Sequence, residues 1–153
     1  MAEYLRLARL YLVLLAVVTA GRWILSVQHV PYEKATDKVS IVILTLFASL
    51  FYGAFCRRWL GYGISSCAML GALFAVASQV VILLSTVVSY TAGIDSYFNY
   101  PLALGRPVDP GAAPVSLGLA VGIRLGGAVV NAVTCAISGA LGWGLGALLP
   151  NRS

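Results

Sequence analysis

Charged residues are scarce in this chain, and their scarcity narrows the class of protein. Asp, Glu, Lys and Arg make up 10% of its 153 residues, against about a quarter in soluble globular domains. Hydrophobic residues reach 60%, and the mean hydropathy is +0.92. These values exclude an ordinary water-soluble domain and predict an integral membrane protein.

The basic residues do not form a nucleic-acid-binding patch. The net charge is +5, but the ten Lys and Arg residues stand in ones and twos at the ends of apolar runs. A nucleic-acid-binding surface would gather them on one face. Their placement is instead typical of membrane topology, so we expect the bilayer as a partner and no nucleic acid.

Carboxylates are missing from the long apolar runs. Proton-coupled transporters usually place an Asp or Glu inside a span, where it binds and releases the proton. This absence argues against a small proton-driven exporter, although the chain has the size and the four apolar segments of one.

Metal-binding and catalytic motifs are also lacking. Cys56, Cys67 and Cys135 form no CxxC pair and no metal-ligand spacing, which is typical of small buried hydrophobic residues. His29 is the only histidine, and no second ligand type clusters near it in the sequence. No nucleophile elbow or other spaced catalytic motif occurs. The sequence therefore predicts no enzyme, no metal and no cofactor.

The apolar runs predict four transmembrane helices in one membrane domain covering 1–153. The spans are expected at about 5–27, 39–56, 64–91 and 116–149, because each run is long enough to cross a hydrocarbon core of about 30 Å. A loop over 92–115 separates the last two spans. The expected fold class is thus an all-α integral membrane protein with a four-transmembrane-helix bundle.

Basic residues next to the spans predict the orientation in the membrane. One side collects Arg6, Arg9, Arg57, Arg58 and Arg152. The other side has Lys34, Lys38 and Arg106, accompanied by Glu33, Asp37, Asp95 and Asp109. We expect both termini to be cytoplasmic, in the inner (plasma) membrane of a bacterium, with the 92–115 loop on the outer side.

Small residues recur at every fourth position along the last span. The row comprises Gly118, Gly122, Gly126, Thr134, Ser138, Gly142 and Gly146, interrupted at Val130. Such a row lets the backbone of another helix approach closely, which is how helices associate in lipid. The row predicts a helix-packing interface, with a deep part from Thr134 to Gly146 and an outer part near Arg124.

Four polar side chains within the spans are candidates for an anion site. Arg22 and Arg124 are expected toward the outer side, with Asn131 and Gln79 below them as hydrogen-bonding groups. Intramembrane charges are costly and often functional. The structural alternative is that the arginines reach the headgroups or pair with a loop carboxylate, and that the two amides bond between helices.

A short segment of the last span resembles a known channel family. Gly126-Gly127-Ala128-Val129-Val130-Asn131, followed by Cys135 and Gly139, is similar to the asparagine-containing second helix of the small fluoride channels, which also have four spans. Here the segment belongs to the fourth span, and the phenylalanine- and threonine-rich third-helix motif of that family is missing. The resemblance covers about 15 residues, and the activity is not transferred.

Three hypotheses for function follow from these observations. The first is a non-enzymatic role through helix–helix association, as a homo-oligomer or as an accessory subunit of a membrane complex. The second is a small channel or carrier, for an anion, built on the two arginines and two amides. The third is a membrane enzyme with an outer-face site formed by Asp95, Asp109, His29 and Arg106.

Overall fold

The computed structural model describes residues 2–36, 40–108 and 113–149. Five α-helices occur there: α1 (Ala2–Val27), the short α2 (Tyr32–Thr36), α3 (Ile41–Leu60), α4 (Ile64–Thr91) and α5 (Leu117–Leu145). Single 3-10 turns follow at Pro101–Leu104 and Gly146–Leu148, and no strand occurs in these residues. The predicted all-α class is confirmed.

Four helices are long and apolar enough to span a membrane. The apolar stretches run over Arg6–Val27, Ile41–Leu60, Ile64–Thr91 and Leu117–Leu148. The third coincides with the expected span, whereas the second lies later than its expected range of 39–56. Ser40 caps its first turn by accepting a hydrogen bond from the Ile43 amide at 3.3 Å.

Helix α3 ends later than the expected residue 56, because the pair of arginines that follows does not terminate the helix. The helix continues through Arg57 and Arg58 to Leu60, where Gly61 adopts a left-handed conformation with φ of 68°. The Gly61 amide donates to the Cys56 carbonyl. Glycine takes this conformation without strain, so Gly61 marks the end of the helix.

The backbones of helices α4 and α5 are in close contact, because glycines lie where the two helices cross. A Cβ atom added at Gly71 would overlap the Cys135 carbonyl of α5, and one added at Gly139 would overlap the Cys67 carbonyl of α4. Gly71 thus packs against α5 and Gly139 packs against α4, and neither position has room for a methyl group.

Helix α3 approaches α5 in the same way. A Cβ atom at Gly53 would overlap the Gly139 carbonyl, and one at Gly142 would overlap the Leu50 carbonyl. Ser138 adds a hydrogen bond from its hydroxyl to the Leu46 carbonyl at 3.0 Å. Helices α3, α4 and α5 therefore form a closely packed group of three.

Helix α1 attaches to this group through a polar contact in its middle. The Tyr11 hydroxyl donates to the Phe74 carbonyl at 2.9 Å and lies 3.0 Å from the Thr45 hydroxyl. The Tyr11 ring stacks on Phe74 with centroids 4.4 Å apart. The side chain is 1% exposed, so a hydroxyl placed among apolar helices has its partners inside the protein.

These contacts predict that Gly71→Ala destabilises the protein, whereas Gly122→Ala does not. The alanine methyl would force α4 and α5 apart at position 71, at a cost of about 1–3 kcal/mol. No atom of the described residues lies within 4 Å of a Cβ atom at Gly122. The unfolding midpoint in mild detergent should fall for the first variant and stay constant or rise for the second. Equal midpoints would contradict the packing described here.

Candidate functional site

The connection between α4 and α5 folds back onto the helices at the end of the bundle where α1 and α4 finish, here called the loop end. The Tyr97 amide donates to the Ser26 hydroxyl at 3.1 Å, and the Tyr97 hydroxyl donates to the Leu25 and Val30 carbonyls. Tyr97 and Phe98 are buried. This part of the connection is therefore a packed element of the structure.

Local hydrogen bonds give the turn before Tyr97 its shape. The Ser89 and Ser96 hydroxyls are 2.6 Å apart. The Asn99 side chain accepts from the Ser96 amide at 2.8 Å and donates to the Ile94 carbonyl at 3.0 Å. These bonds set the position of Tyr97 and Phe98 relative to the end of α4.

Arg124 joins α5 to this connection through two nitrogen atoms and to α4 through a third. Its Nη1 donates to the Ala103 carbonyl at 2.9 Å and its Nη2 to the Phe98 carbonyl at 2.9 Å. Its Nε donates to the Thr86 hydroxyl at 3.3 Å. A guanidinium group is suited to this role because its donors point in several fixed directions. These bonds give Arg124 a role in the packing of the loop end that the sequence analysis did not anticipate.

Arg22 reaches the same region from α1. Its guanidinium carbon lies 5.7 Å from the centre of the Tyr32 ring, 5.5 Å from that of Tyr97 and 5.9 Å from that of Phe98. The side chain is only 8% exposed. Aromatic faces stabilise a cation in a site of low hydration, so the three rings make the burial of this charge less costly.

Both arginines line one cavity of about 230 Å³, here called the arginine cavity. The first turn of α3 contributes Ser40, Ile41 and Val42 to its wall. No described residue that lines it is acidic. The structure therefore brings together two of the four residues proposed for the anion site.

The other two residues of that proposal lie elsewhere. Asn131 is buried, and its amide donates to the Ser78 hydroxyl at 3.4 Å. Asn131 is seven positions beyond Arg124, or roughly 10 Å along α5. Gln79 is partly buried on α4. Neither amide lines the arginine cavity, and Asn131 bonds between helices in the manner of the structural alternative.

A larger cleft of about 570 Å³ opens beside the arginine cavity and shares Tyr32 and Tyr97 with it. Its other aromatic walls are Tyr90 and Tyr100. Burial raises the pKa of Tyr97, and the nearby charge of Arg22 opposes that shift only in part. The Tyr97 hydroxyl is therefore protonated at neutral pH, as its hydrogen bonds to carbonyl groups require.

Only two of the four residues proposed for an enzyme site line the same cleft. His29 and Asp95 line the cleft beside the arginine cavity, together with Glu33. Arg106 lines a different pocket, and Asp109 lies outside the described residues. Within 2–36, 40–108 and 113–149, no group of three or more His, Cys, Asp or Glu side chains could hold a metal ion.

The small-residue row of α5 is divided between two faces. Gly118, Gly122 and Gly126 are exposed, and within 2–36, 40–108 and 113–149 nothing lies within 4 Å of a Cβ atom at any of them. Ser138, Gly142 and Gly146 are buried, with Gly142 and Gly146 against α3, whereas Thr134 is exposed. Four residues advance an α-helix by about 400°, so the row shifts by about 40° at each step. Its outer part consequently points away from the bundle.

Several residues of this region escaped the sequence-based prediction. Neither Tyr97 nor Phe98 was a candidate residue in the sequence, and neither was Tyr11 in the middle of α1. A tyrosine in the middle of a span carries a usable signal, since its hydroxyl needs a partner within the membrane. The contacts of Arg22 with the three rings left no signal in the sequence, because the rings come from distant segments.

Comparisons with known proteins identified no similar protein. No family model, no curated protein and no solved structure matches the chain. The similarity of the segment around Asn131 to the small fluoride channels therefore remains a short pattern, and the site is interpreted from its own geometry.

The hydrogen bonds of Arg124 predict that Arg124→Lys loosens the loop end. A lysine keeps the charge but cannot reach Thr86, Phe98 and Ala103 together, so the loss is expected to be about 1.5–3 kcal/mol. Limited proteolysis of purified protein should then cut within 92–108 faster than in the wild type. The control is Arg106→Lys, because Arg106 is exposed. Equal cleavage rates in all three proteins would count against the role of Arg124.

Proposed function

We propose that this protein is an integral membrane protein with a non-enzymatic role, acting through helix–helix association as a homo-oligomer or as an accessory subunit of a membrane complex. The observation that carries the proposal is the exposed glycine row Gly118, Gly122 and Gly126 on α5. These positions leave the helix backbone open to an approaching helix, and no described part of the chain covers them.

The position of the row supports this proposal. At about 100° per residue, Gly122 stands about 160° around α5 from Gly142, which packs against α3. Helix α5 is also the least covered of the four long helices: 17% of its most apolar stretch is buried, against 28% to 39% in the others. The helix with the glycine row thus has the largest surface left for a partner.

The physics of helices in lipid supports it further. A glycine inside a helix is about 1 kcal/mol less favourable than alanine, and among the described residues nothing packs within 4 Å of a Cβ position at any of these three. Helix pairs in membranes gain from close van der Waals contact, since lipid removes any hydrophobic advantage of association. A partner helix seated on the row would supply such contact.

The proposed topology places both termini in the cytoplasm of a bacterium, with the loop end outside. Arg57 donates to the Trp143 and Gly144 carbonyls, so the cationic end of α3 lies beside the last turns of α5. The exposed Glu33 and Asp95 lie at the loop end. This separation of charge agrees with the tendency of basic residues to remain on the cytoplasmic side.

A small anion channel or carrier is a second candidate, favoured by the shared arginine cavity. Liposomes containing the protein would show anion flux that is lost in Arg22→Ala. Absence of flux for chloride, phosphate and nitrate would remove this candidate without affecting helix association.

The association proposal predicts that Gly122→Leu weakens complex formation at least tenfold, because a leucine would hold a partner helix away from the backbone. Light scattering in mild detergent measures the mass of the complex, and affinity purification followed by protein identification reveals a different subunit. The matched control is Gly144→Leu, since Gly144 is also exposed on α5 and no described residue comes within 4 Å of its Cβ position.

The proposal fails if the wild type is strictly monomeric and no other membrane protein is retained with it. It also fails if Gly122→Leu and Gly144→Leu associate equally well. Gly142→Leu is not a suitable test, because a side chain there collides with the Leu50 carbonyl and would disturb the fold itself.

A further inference from the structure

We infer that the larger cleft at the loop end, here called the tyrosine cleft, binds a small organic ammonium ion, either free or as the headgroup of a zwitterionic lipid. This inference goes beyond helix association and does not depend on it. It rests on the aromatic rings and carboxylates that line the cleft, which come from α2, from the end of α4 and from the connection that follows α4.

Four tyrosines line the tyrosine cleft: Tyr32 of α2, Tyr90 of the last turn of α4, and Tyr97 and Tyr100 of the α4–α5 connection. The centre of the Tyr32 ring lies 5.6 Å from that of Tyr97 and 5.4 Å from that of Tyr100. The faces of aromatic rings attract cations, and cages of several rings are typical sites for quaternary ammonium groups. The cleft therefore has walls of the kind that such a ligand needs.

Backbone hydrogen bonds fix the position of Tyr100. Its carbonyl accepts from the Ala103 amide at 3.0 Å, which begins the 3-10 turn Pro101–Leu104. Gly105 ends this turn in a left-handed conformation with φ of 67°. Tyr97 is fixed in turn by its bonds to α1. A site whose walls are already ordered loses less conformational entropy when the ligand binds.

The charge on the walls of the tyrosine cleft favours a cation. Glu33 and Asp95 line it, and no described residue of its wall is a lysine or an arginine. Neither carboxylate makes a hydrogen bond or an ion pair with another residue of the ranges that the structure describes. Charge complementarity of this kind selects a cation over a neutral molecule of the same shape.

A nearby positive charge affects two of the four rings. Arg22 lines the arginine cavity and not the tyrosine cleft, but its guanidinium carbon lies 5.7 Å from the centre of the Tyr32 ring and 5.5 Å from that of Tyr97. Both rings thus already have a cation beside them. The ligand is therefore expected to depend more on Tyr100 and on the two carboxylates than on Tyr97.

The size and lining of the cleft favour an organic ion over a metal ion. Its volume of about 570 Å³ is within the range of about 300–1,000 Å³ that is typical of sites for small molecules. Among the described residues, no group of three or more His, Cys, Asp or Glu side chains could hold a metal ion. Aromatic walls also suit a large ammonium group with an apolar surface.

Thermal unfolding of the full chain, purified in detergent and washed free of bound lipid, tests the inference. Choline chloride is added, with sodium chloride at equal ionic strength as the first control, because screening alone also changes stability. Neohexyl alcohol is the second control, since it has the shape of choline but no charge. A saturable rise in the unfolding midpoint is expected with choline and with neither control.

A second arm distinguishes the sources of the ammonium group. It compares dioleoylphosphatidylcholine with dioleoylphosphatidylglycerol, which has the same acyl chains and no ammonium. A specific rise with choline indicates a free ion, and a specific rise in the lipid arm alone indicates a headgroup. Equal rises with choline and neohexyl alcohol, or no specific rise in either arm, would overturn the inference.

Variants locate the site. Asp95→Asn should raise the ligand concentration at half-effect about threefold to fivefold. Tyr100→Leu should raise it about fivefold, whereas Tyr100→Phe keeps the ring and should retain the effect. An unchanged concentration in both Asp95→Asn and Tyr100→Leu would place the ligand elsewhere and overturn the inference.

Lys34→Gln is the matched control, because Lys34 is exposed beside Glu33 in the sequence but does not line the cleft. Its half-effect concentration should stay close to that of the wild type. A purely long-range effect of charge would instead make Lys34→Gln strengthen binding as much as Asp95→Asn weakens it, and that result would overturn the site.

Light scattering on the same samples separates this inference from the proposed function, since none of these residues lies on the glycine row. A monomer that binds choline would contradict only helix association. An oligomer that shows no specific rise in either arm would contradict only the tyrosine cleft as a binding site.

Discussion

Backbone contact at four glycines is the constraint on which the rest of this structure depends. Hydrophobic side chains are no better placed against each other than against lipid, so the helices of a membrane protein need another reason to adhere. At Gly53, Gly71, Gly139 and Gly142 that reason is the absence of a side chain, which lets carbonyl groups of one helix touch the backbone of the next. Weak contacts from Cα–H groups to carbonyl oxygens are characteristic of such crossings. With α3, α4 and α5 fixed in this way, α1 packs against them with the Tyr11 hydroxyl bonded to α4.

The loop end shows how the same bundle accommodates two positive charges. Arg124 binds carbonyl groups of the α4–α5 connection, and Arg22 lies among three aromatic rings. Each arginine therefore stabilises the connection that partly encloses it. Both arginines also line the arginine cavity. Tyr32 and Tyr97 line this cavity as well as the larger cleft beside it.

The small-residue row of α5 shows that a regular spacing in the sequence does not form a single stripe on the surface of a helix. A spacing of four looks like one stripe in the sequence, but a helix turns about 40° further with every such step. Gly118 to Gly126 therefore face outward, while Ser138 to Gly146 face the bundle. Gly139, which is outside the row, makes two of the closest contacts in the bundle, one with α4 and one with α3. The pattern contained the small residues needed for packing, but it did not assign each of them to a partner.

Composition and run length by themselves determined the all-helical class and the four long apolar helices, because these follow from local hydrophobicity along about 20 residues at a time. They also located α4, whose ends are marked by a Gly-rich turn and by the change to a Pro- and Gly-rich segment. Only the tertiary structure decided that Arg22 and Arg124 share a cavity and that Asn131 bonds to Ser78. It also decided that four of the seven residues of the small-residue row are exposed. The reason is that these features depend on the rotation and crossing of helices distant in sequence. A helix crossing is set by contacts such as Gly71 with Cys135, which no local pattern encodes.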